Sequence, residues 1–366
     1  KKGYFESHDG EWMVIRFTAF HQTLRSGQFP VRFVDRLNNN YGYPVMNFLY
    51  PLPFYLAEVP KLLGLGFVDS IKTVFIVSTI LSSVLMFIAL VQKFSPSSSL
   101  AGAIIYLFSP YRFIDLYIRG SIGESVAFAI IPLCLLSIFK IEKNQKKYLP
   151  VLAISTALLI TAHNVIALFF LPLLIITTVF YSKKNLKESL LAYSLGIFTA
   201  AFFWIPALLD LKYVKLSQIK VSVITEYLAN FQNIIIPGHL FNSSPNKINA
   251  VSPQIGIANI GVIIYALVLQ ITSKRKNKFT LFLIIAFIFL AFLMSHYSGM
   301  IWQIIPFIDV IQFPWRILSV EIFISVIFTS IIIEKSGRKI LLSTILIVLA
   351  IITSLPYTKP LTFSNH

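Results

Sequence analysis

The sequence predicts an all-α membrane protein in which about ten helices span the bilayer, with a long first loop on the outer side. Three observations lead to this fold class. Of the 366 residues, 56% are hydrophobic and only 13% are charged. In soluble domains roughly a quarter of the residues are charged. The apolar residues are collected in long blocks. The basic residues are concentrated in the short connectors between those blocks.

The apolar blocks are candidate spanning helices because they approach the length that a helix needs to cross a bilayer. They cover residues 69–92, 100–114, 124–139, 149–162, 165–181, 189–208, 255–271, 280–296, 317–333 and 340–355. The stretch 148–181 is too long for one span and too short for two spans with a loop. A tight helical pair that turns at His163 and Asn164 is therefore expected there.

The positively charged connectors predict the orientation. Lysine and arginine cluster at residue 93 and in residues 140–147, 183–187, 274–278 and 335–339. Because short loops rich in these residues stay in the cytoplasm, both termini and the long loops are expected outside the plasma membrane. This pattern accounts for the net charge of +16. The expected partner is therefore the lipid bilayer, and no nucleic-acid partner is expected.

The chain then divides into three parts. Residues 1–68 form an extracytoplasmic first loop with interfacial helices, one of them in 12–36, where apolar residues have helical spacing. Residues 69–355 form the transmembrane helical domain, and residues 356–366 form a truncated extracytoplasmic tail. The outer loops of the helical domain are 110–123, 209–254 and 297–316. The first residue is not Met, so a longer protein is expected.

The first candidate site lies in the acidic segment that contains His8, Asp9 and Glu11. A carboxylate there could take a proton from an acceptor hydroxyl, and two carboxylates with an imidazole could hold a divalent cation. The alternative is a solvated acidic loop with a turn at Asp9 and Gly10.

The second candidate site precedes the block at 124–139. Ser121 and Glu124 have the spacing of a capping box, so a helix is expected to begin there. Its N-terminus, together with Arg112 and Arg119, would form a phosphate-binding corner. The alternative makes Glu124 a helix cap and the arginines headgroup anchors.

Further candidates are single residues near the outer side. His163 and His239 are titratable, although a lone histidine is more often structural. Asp309 precedes Arg316, which either binds a lipid phosphate or anchors the helix at the interface. The sequence contains no Walker loop, dinucleotide fingerprint, zinc-ligand spacing or nucleophile elbow, so a nucleotide-dependent reaction is not expected.

A series of short motifs runs along most of the chain: His8-Asp9-Gly10, residues 24–32, Tyr41-Gly42-Tyr43-Pro44, residues 50–55, Ser109-Pro110-Tyr111-Arg112, residues 117–121, Glu124, His163-Asn164 and Phe313-Pro314-Trp315-Arg316. In this order the motifs resemble a family of bacterial multi-pass membrane proteins labelled "6-pyruvoyl-tetrahydropterin synthase-related". This family in turn resembles the C-type (GT-C) membrane glycosyltransferase superfamily, which uses sugars carried on polyprenyl phosphate.

The resemblance implies a GT-C-like fold and a set of roles. Asp9 would be the general base that activates an acceptor hydroxyl, and Glu11 would assist it. Arg119, with Arg112 or Arg316, would stabilise the departing lipid phosphate, and Glu124 and His163 would complete the donor site. A divalent cation (Mg or Mn) is an open possibility, with Asp9, Glu11 and His8 as its ligands. Members of the superfamily often have an adjacent acidic pair, whereas Asp9 here lies between His8 and Gly10.

The function that follows is a glycosyltransferase of cell-envelope assembly. It would transfer a sugar from a polyprenyl-phosphate donor to an acceptor on the outer face of the membrane. Two alternatives stay open: a transporter or flippase of a lipid-linked sugar, and a non-catalytic membrane subunit. A transporter usually has its polar site near the bilayer midplane, whereas the polar residues here gather at one interface.

Overall fold

A computed structural model describes residues 3–213, 227–235, 254–273, 276–304, 311–360 and 363–364. Within these residues the regular structure is α-helical, except for short 3₁₀ and π turns and one pair of two-residue strands. The strands β1 (Tyr4–Phe5) and β2 (Phe363–Ser364) pair antiparallel. The prediction of an all-α membrane fold is confirmed.

The described residues contain seventeen α-helices. They are α1 (Gly10–Arg25), α2 (Val45–Phe48), α3 (Leu52–Leu62), α4 (Phe67–Leu90), α5 (Pro96–Leu107), α6 (Pro110–Ile114), α7 (Ile122–Glu142), α8 (Leu149–Ala162), α9 (Asn164–Tyr181), α10 (Leu186–Thr199), α11 (Ala201–Asp210), α12 (Phe231–Ile235), α13 (Ile257–Thr272), α14 (Lys278–Leu293), α15 (Gly299–Ile304), α16 (Leu318–Lys335) and α17 (Lys339–Ser354). A π-helical turn, Asp115–Arg119, joins α6 to α7, and a 3₁₀ turn, Pro314–Ile317, leads into α16.

Fewer helices have the length of a span than the sequence predicts. Among the described residues, five helical segments are long and apolar enough to cross a membrane, or six if one bent pair is counted. The five are Phe67–Leu90, Ile122–Glu142, Asn164–Tyr181, Pro314–Lys335 and Lys339–Tyr357. Three further apolar helices, α5, α13 and α14, are shorter.

The predicted block 100–114 is not one helix. Helix α5 ends at Leu107, and the short helix α6 begins at Pro110. The physical reason is the proline, because its ring disfavours a helical conformation in the residue before it. Ser109 accordingly has an extended backbone, with φ −81° and ψ 135°.

Two helices form the centre of the bundle. In both Ile122–Glu142 and Pro314–Lys335, 89% of the most apolar window is buried inside the protein, against 22% in Lys339–Tyr357. Helix α4 packs on α7, and α5 packs on α16. The first residues of these two central segments carry Glu124 and Arg316, so the core of the fold brings the two side chains together.

The predicted helical pair at His163 is confirmed. Helix α8 ends at Ala162 and α9 begins at Asn164, and the extended backbone of His163 separates them. The amide of Ile166 donates to Nδ1 of His163 over 3.3 Å, so the imidazole caps α9.

The first segment of the chain contains three helices, α1 to α3, before the first long one. The amphipathic helix expected in 12–36 is α1, which ends at Arg25 just before Gly27. The predicted loops 209–254 and 297–316 are described only in part. His239 and Asp309 lie outside the described residues.

Candidate functional site

Two backbone segments lie side by side at the candidate site. The amide of His8 donates to the carbonyl of Ile118, and the amide of Asp9 donates to that of Arg119, both over 2.9 Å. Gly120 makes this approach possible, because a Cβ there would lie 2.6 Å from Oγ of Ser7. The two hydrogen bonds fix Asp9 opposite Arg119, although the residues are far apart in sequence.

Replacing Gly120 by alanine is expected to force these two segments apart. Gly120 has a left-handed backbone (φ +67°), and the added Cβ would also lie 2.9 Å from the amide nitrogen of Gly10. Gly64 is the matched control, because it also has positive φ (+97°) but nothing lies within 4 Å of its Cβ position. Backbone strain alone lowers stability by about 1–2 kcal/mol.

Thermal unfolding in detergent would measure both variants. Gly120→Ala should lose clearly more stability than Gly64→Ala, because only Gly120 has a neighbour that must move. Equal losses would show that the close approach of the two segments contributes nothing.

The ion pair between Asp9 and Arg119 is open on one side. Oδ2 of Asp9 lies 3.5 Å from Nη2 of Arg119, and the Asp9 side chain is 41% exposed whereas that of Arg119 is 4% exposed. Asp9 immediately precedes α1 but makes no side-chain capping bond to it. The carboxylate is therefore accessible to a ligand.

The guanidinium of Arg119 has further neighbours that hold it in place. Its Nε lies 3.8 Å from Oδ1 of the buried Asp115, one turn earlier in the same segment. The guanidinium carbon of Arg119 also lies 4.9 Å from the ring centroid of Phe313 and 5.7 Å from that of Trp315, and these two rings stack on each other. Neither Nε of Arg119 nor Oδ1 of Asp115 has a hydrogen-bond partner within the described part of the chain.

Glu124 is a further carboxylate at this site, and it is completely buried and has several partners. Nε of Arg316 donates to its Oε1 over 3.2 Å, and the hydroxyl of Tyr111 donates to its Oε2 over 2.7 Å. Nε2 of His163 lies 3.7 Å from Oε1. Because Nδ1 of His163 accepts the amide of Ile166, the neutral imidazole carries its proton on Nε2, facing Glu124.

These residues form one group, named here the carboxylate–arginine cluster: Asp9, Asp115, Arg119, Glu124, His163 and Arg316. The ring of Phe313 contacts both arginines, with centroid distances of 4.9 Å and 5.3 Å. Two guanidinium groups therefore face three carboxyl groups. Such a group can transfer a proton at its exposed carboxylate and bind an anion at an arginine, provided that the anion replaces a carboxylate.

The capping-box interpretation of Ser121 and Glu124 is wrong in its detail. Helix α7 does begin after Ser121, but the Ser121 side chain makes no capping bond. The carboxylate of Glu124 accepts from Arg316 and Tyr111 instead. The fold brings the guanidinium of Arg316 to the helix start, where it pairs with the carboxylate in place of a backbone amide.

Arg112 is not part of the cluster. Its Nη2 donates to Oγ of Ser82 on α4 over 3.0 Å, and its guanidinium lies 4.1 Å from the ring centroid of Phe128. Glu11 is exposed in the first turn of α1 and makes no ion pair with another described residue. Neither contacts Asp9 or Arg119 by a hydrogen bond or ion pair.

The predicted cation ligands do not come together. Within the part of the chain that the structure describes, no three side chains of His, Cys, Asp or Glu converge on one point, and His8, Asp9 and Glu11 all lie in that part. These residues do not fit a three-ligand Mg or Mn site.

The surroundings of His8 favour its neutral imidazole. Partial burial lowers the pKa of its imidazole, and the neighbouring guanidinium of Arg119 lowers it further, although Asp9 acts in the opposite direction. A neutral imidazole adds no positive charge to compete with Arg119 for Asp9.

The sequence-based candidates did not include Asp115 or Tyr111 as site residues. Asp115 and Arg119 have the i, i+4 spacing of a helical ion pair, which was a usable signal. Tyr111 stands in a motif quoted above, but nothing in its spacing indicates that its hydroxyl reaches Glu124.

Comparison with known proteins identifies one family. A family model described as "6-pyruvoyl-tetrahydropterin synthase related domain; membrane protein" matches residues 46–360. The match includes Asp115, Arg119, Glu124, His163 and Arg316, whereas Asp9 lies before it. No curated protein matches the chain.

Proposed function

The chain belongs to the 6-pyruvoyl-tetrahydropterin synthase related family of membrane proteins, and we propose that it is an integral-membrane glycosyltransferase. Its donor is a sugar on a polyprenyl phosphate, and its acceptor is a hydroxyl compound of the cell envelope. The proposal includes a GT-C-like bundle of about ten spans, in which the shorter apolar helices such as α5, α13 and α14 also cross the bilayer. The carboxylate–arginine cluster then lies at the outer face of the plasma membrane.

One observation carries this proposal: an exposed carboxylate, Asp9, lies 3.5 Å from a buried guanidinium, Arg119, in a protein otherwise rich in apolar surface. A base and an anion-binding group at this separation are the two groups that glycosyl transfer from a phosphate requires. Ionisable residues at membrane depth are rare, and those that occur are commonly functional.

The chemistry follows from the positions of these two residues. Asp9 takes the proton of the acceptor hydroxyl while the hydroxyl oxygen forms a bond to the anomeric carbon of the sugar. The bond from that carbon to the phosphate oxygen breaks, and the lipid phosphate leaves with the electron pair. Arg119 stabilises the added negative charge on the phosphate. Glu124 touches neither substrate and positions Arg316 beside the ring of Phe313.

A specific observation favours transport as a second candidate function. Lys183–Thr199 and Ala201–Tyr213 form a helix pair bent by 58°, and transporters often bind substrate at such broken helices. Glu321 on α16 is also fully buried, and its carboxyl oxygens have no hydrogen-bond partner among the described residues. Neither feature belongs to the carboxylate–arginine cluster.

The experiment that separates these functions uses the full chain in nanodiscs with a lipid extract that contains polyprenyl-phosphate sugars. Mass spectrometry would follow the loss of donor and the gain of glycosylated acceptor from the same envelope. The proposal predicts that donor is lost and glycosylated acceptor is gained in equal amounts. In parallel, sealed vesicles would report movement of the lipid-linked sugar across the bilayer.

The outcomes differ for the three functions. Movement across the bilayer without donor loss would establish a transporter and overturn the transferase. If donor is not lost and the lipid-linked sugar does not move across the bilayer, the result would favour a non-catalytic subunit.

A further inference from the structure

We infer that Asp9 and the phosphate of an incoming lipid compete for the guanidinium of Arg119, so that donor binding releases the base. This rests on the proposed function, because it takes a lipid phosphate as the ligand. Before binding, the ion pair occupies both groups. After binding, Arg119 holds the phosphate, and the Asp9 carboxylate is free to accept a proton.

Arg119 keeps its position without the Asp9 side chain. Its backbone carbonyl accepts the Asp9 amide, which any residue at position 9 other than proline would provide. Its guanidinium is 4% exposed and lies against Phe313, Trp315 and Asp115. The cation therefore stays in place when the carboxylate turns away.

The pair of Arg119 with Asp9 is longer and more exposed than the pair of Arg316 with Glu124. Its separation of 3.5 Å is longer than the roughly 2.7–2.9 Å of a charge-assisted hydrogen bond. The pair of Glu124 with Arg316 is a hydrogen bond of 3.2 Å between two buried side chains. Nη1 of Arg316 donates in addition to the carbonyl of Ile311 over 2.9 Å. Arg316 is thus committed to protein partners, and Arg119 is the arginine available for exchange.

The phosphate group of the donor can take the place of the carboxylate. As a phosphodiester it carries one negative charge, like a carboxylate, and its two non-bridging oxygens match the planar guanidinium. The orphaned Nε of Arg119 is a donor that Asp9 does not satisfy. Asp9 has no side-chain bond to α1 that would hold it elsewhere, so its carboxylate can rotate toward the exposed side.

The test measures binding instead of turnover. Farnesyl phosphate is titrated into the full chain in nanodiscs of zwitterionic lipid, with wild type, Asp9→Asn and Glu11→Gln. Asp9→Asn should bind about two- to fivefold more tightly, as expected for removal of an exposed competing ion pair. Glu11→Gln removes a nearby exposed charge that pairs with no cation among the described residues, so it should change affinity much less. Thermal unfolding would confirm that both variants are folded.

A double-mutant cycle makes the test specific to Arg119. Arg119→Gln should weaken binding, and adding Asp9→Asn to it should no longer improve affinity. Equal gains from Asp9→Asn and Glu11→Gln would show only a general charge effect and would overturn the inference. So would an Asp9→Asn variant that binds like wild type.

These outcomes are separate from those of the proposed function. Tighter binding by Asp9→Asn in a protein that turns over no donor would keep the competition and remove the transferase. If the wild type turns over donor but Asp9→Asn binds farnesyl phosphate like wild type, the transferase is kept and the competition is removed. Absence of binding by wild type and Asp9→Asn alike would overturn both.

Discussion

Replacing Arg316 by alanine is expected to lower the free energy of unfolding by about 3–5 kcal/mol, the range for breaking a buried ion pair. The substitution leaves Glu124, which is 0% exposed, without the guanidinium that lies 3.2 Å from its Oε1. Tyr111 still donates to the other oxygen, but one neutral hydroxyl does not replace a cation. Denaturant unfolding in detergent micelles would measure the loss.

The exposed ion pair of Lys146 and Glu188 is the matched control. Its atoms are 3.1 Å apart, but the two side chains are 55% and 41% exposed. Lys146→Ala should therefore lower stability by less than about 1 kcal/mol. Adding Glu124→Gln to Arg316→Ala should recover part of the loss, because no unpaired charge remains buried. Similar losses for Arg316→Ala and Lys146→Ala would contradict the central position assigned to Glu124.

Replacing Asp9 by asparagine is expected to reduce turnover by about 10²- to 10⁴-fold, the usual contribution of a general base. Asparagine has nearly the same shape, so the backbone bond to Arg119 remains, but its amide cannot accept the hydroxyl proton. The donor-consumption assay in nanodiscs would measure the effect under saturating donor, so that the change in affinity inferred above does not enter.

Asp35→Asn is the control for this prediction. Asp35 is exposed in the same first segment, undergoes the same substitution and makes no ion pair within the described part of the chain. It should keep wild-type turnover, and both variants should unfold at the wild-type temperature. An Asp9→Asn protein with wild-type turnover would remove the base from this site and leave the transferase without its proposed residue.

Hydropathy predicted most of the helices because the bilayer imposes a simple length and composition on them. Nine of the ten blocks coincide with one helix or with the bent pair α10–α11, and the remaining block is broken at Pro110. What hydropathy could not give was which helices lie at the centre. The pattern of α7 and of α17 is similarly apolar, but α7 is enclosed and α17 is largely uncovered by protein.

The candidate site was predictable residue by residue but not pair by pair. Asp9, Arg119, Glu124, His163 and Arg316 were singled out from the sequence, and the fold brings them into one cluster. Their partners depend on distant contacts: Glu124 and Arg316 are 192 positions apart. Arg112 has the same chemistry as Arg119 and lies only seven positions before it. The turn at Asp115–Arg119 aims one guanidinium at Asp9, while the other contacts Ser82.

The most direct test of the account is a covalent map of where the lipid phosphate lies. A polyprenyl phosphate with a photoreactive group on its first isoprene unit would be irradiated with the full chain in nanodiscs, and labelled peptides identified by mass spectrometry. The account predicts labels within residues 110–124 and 311–318, and their loss in Arg119→Gln. Labels confined to the basic connectors at 140–147 or 335–339, or labels unchanged in Arg119→Gln, would contradict it.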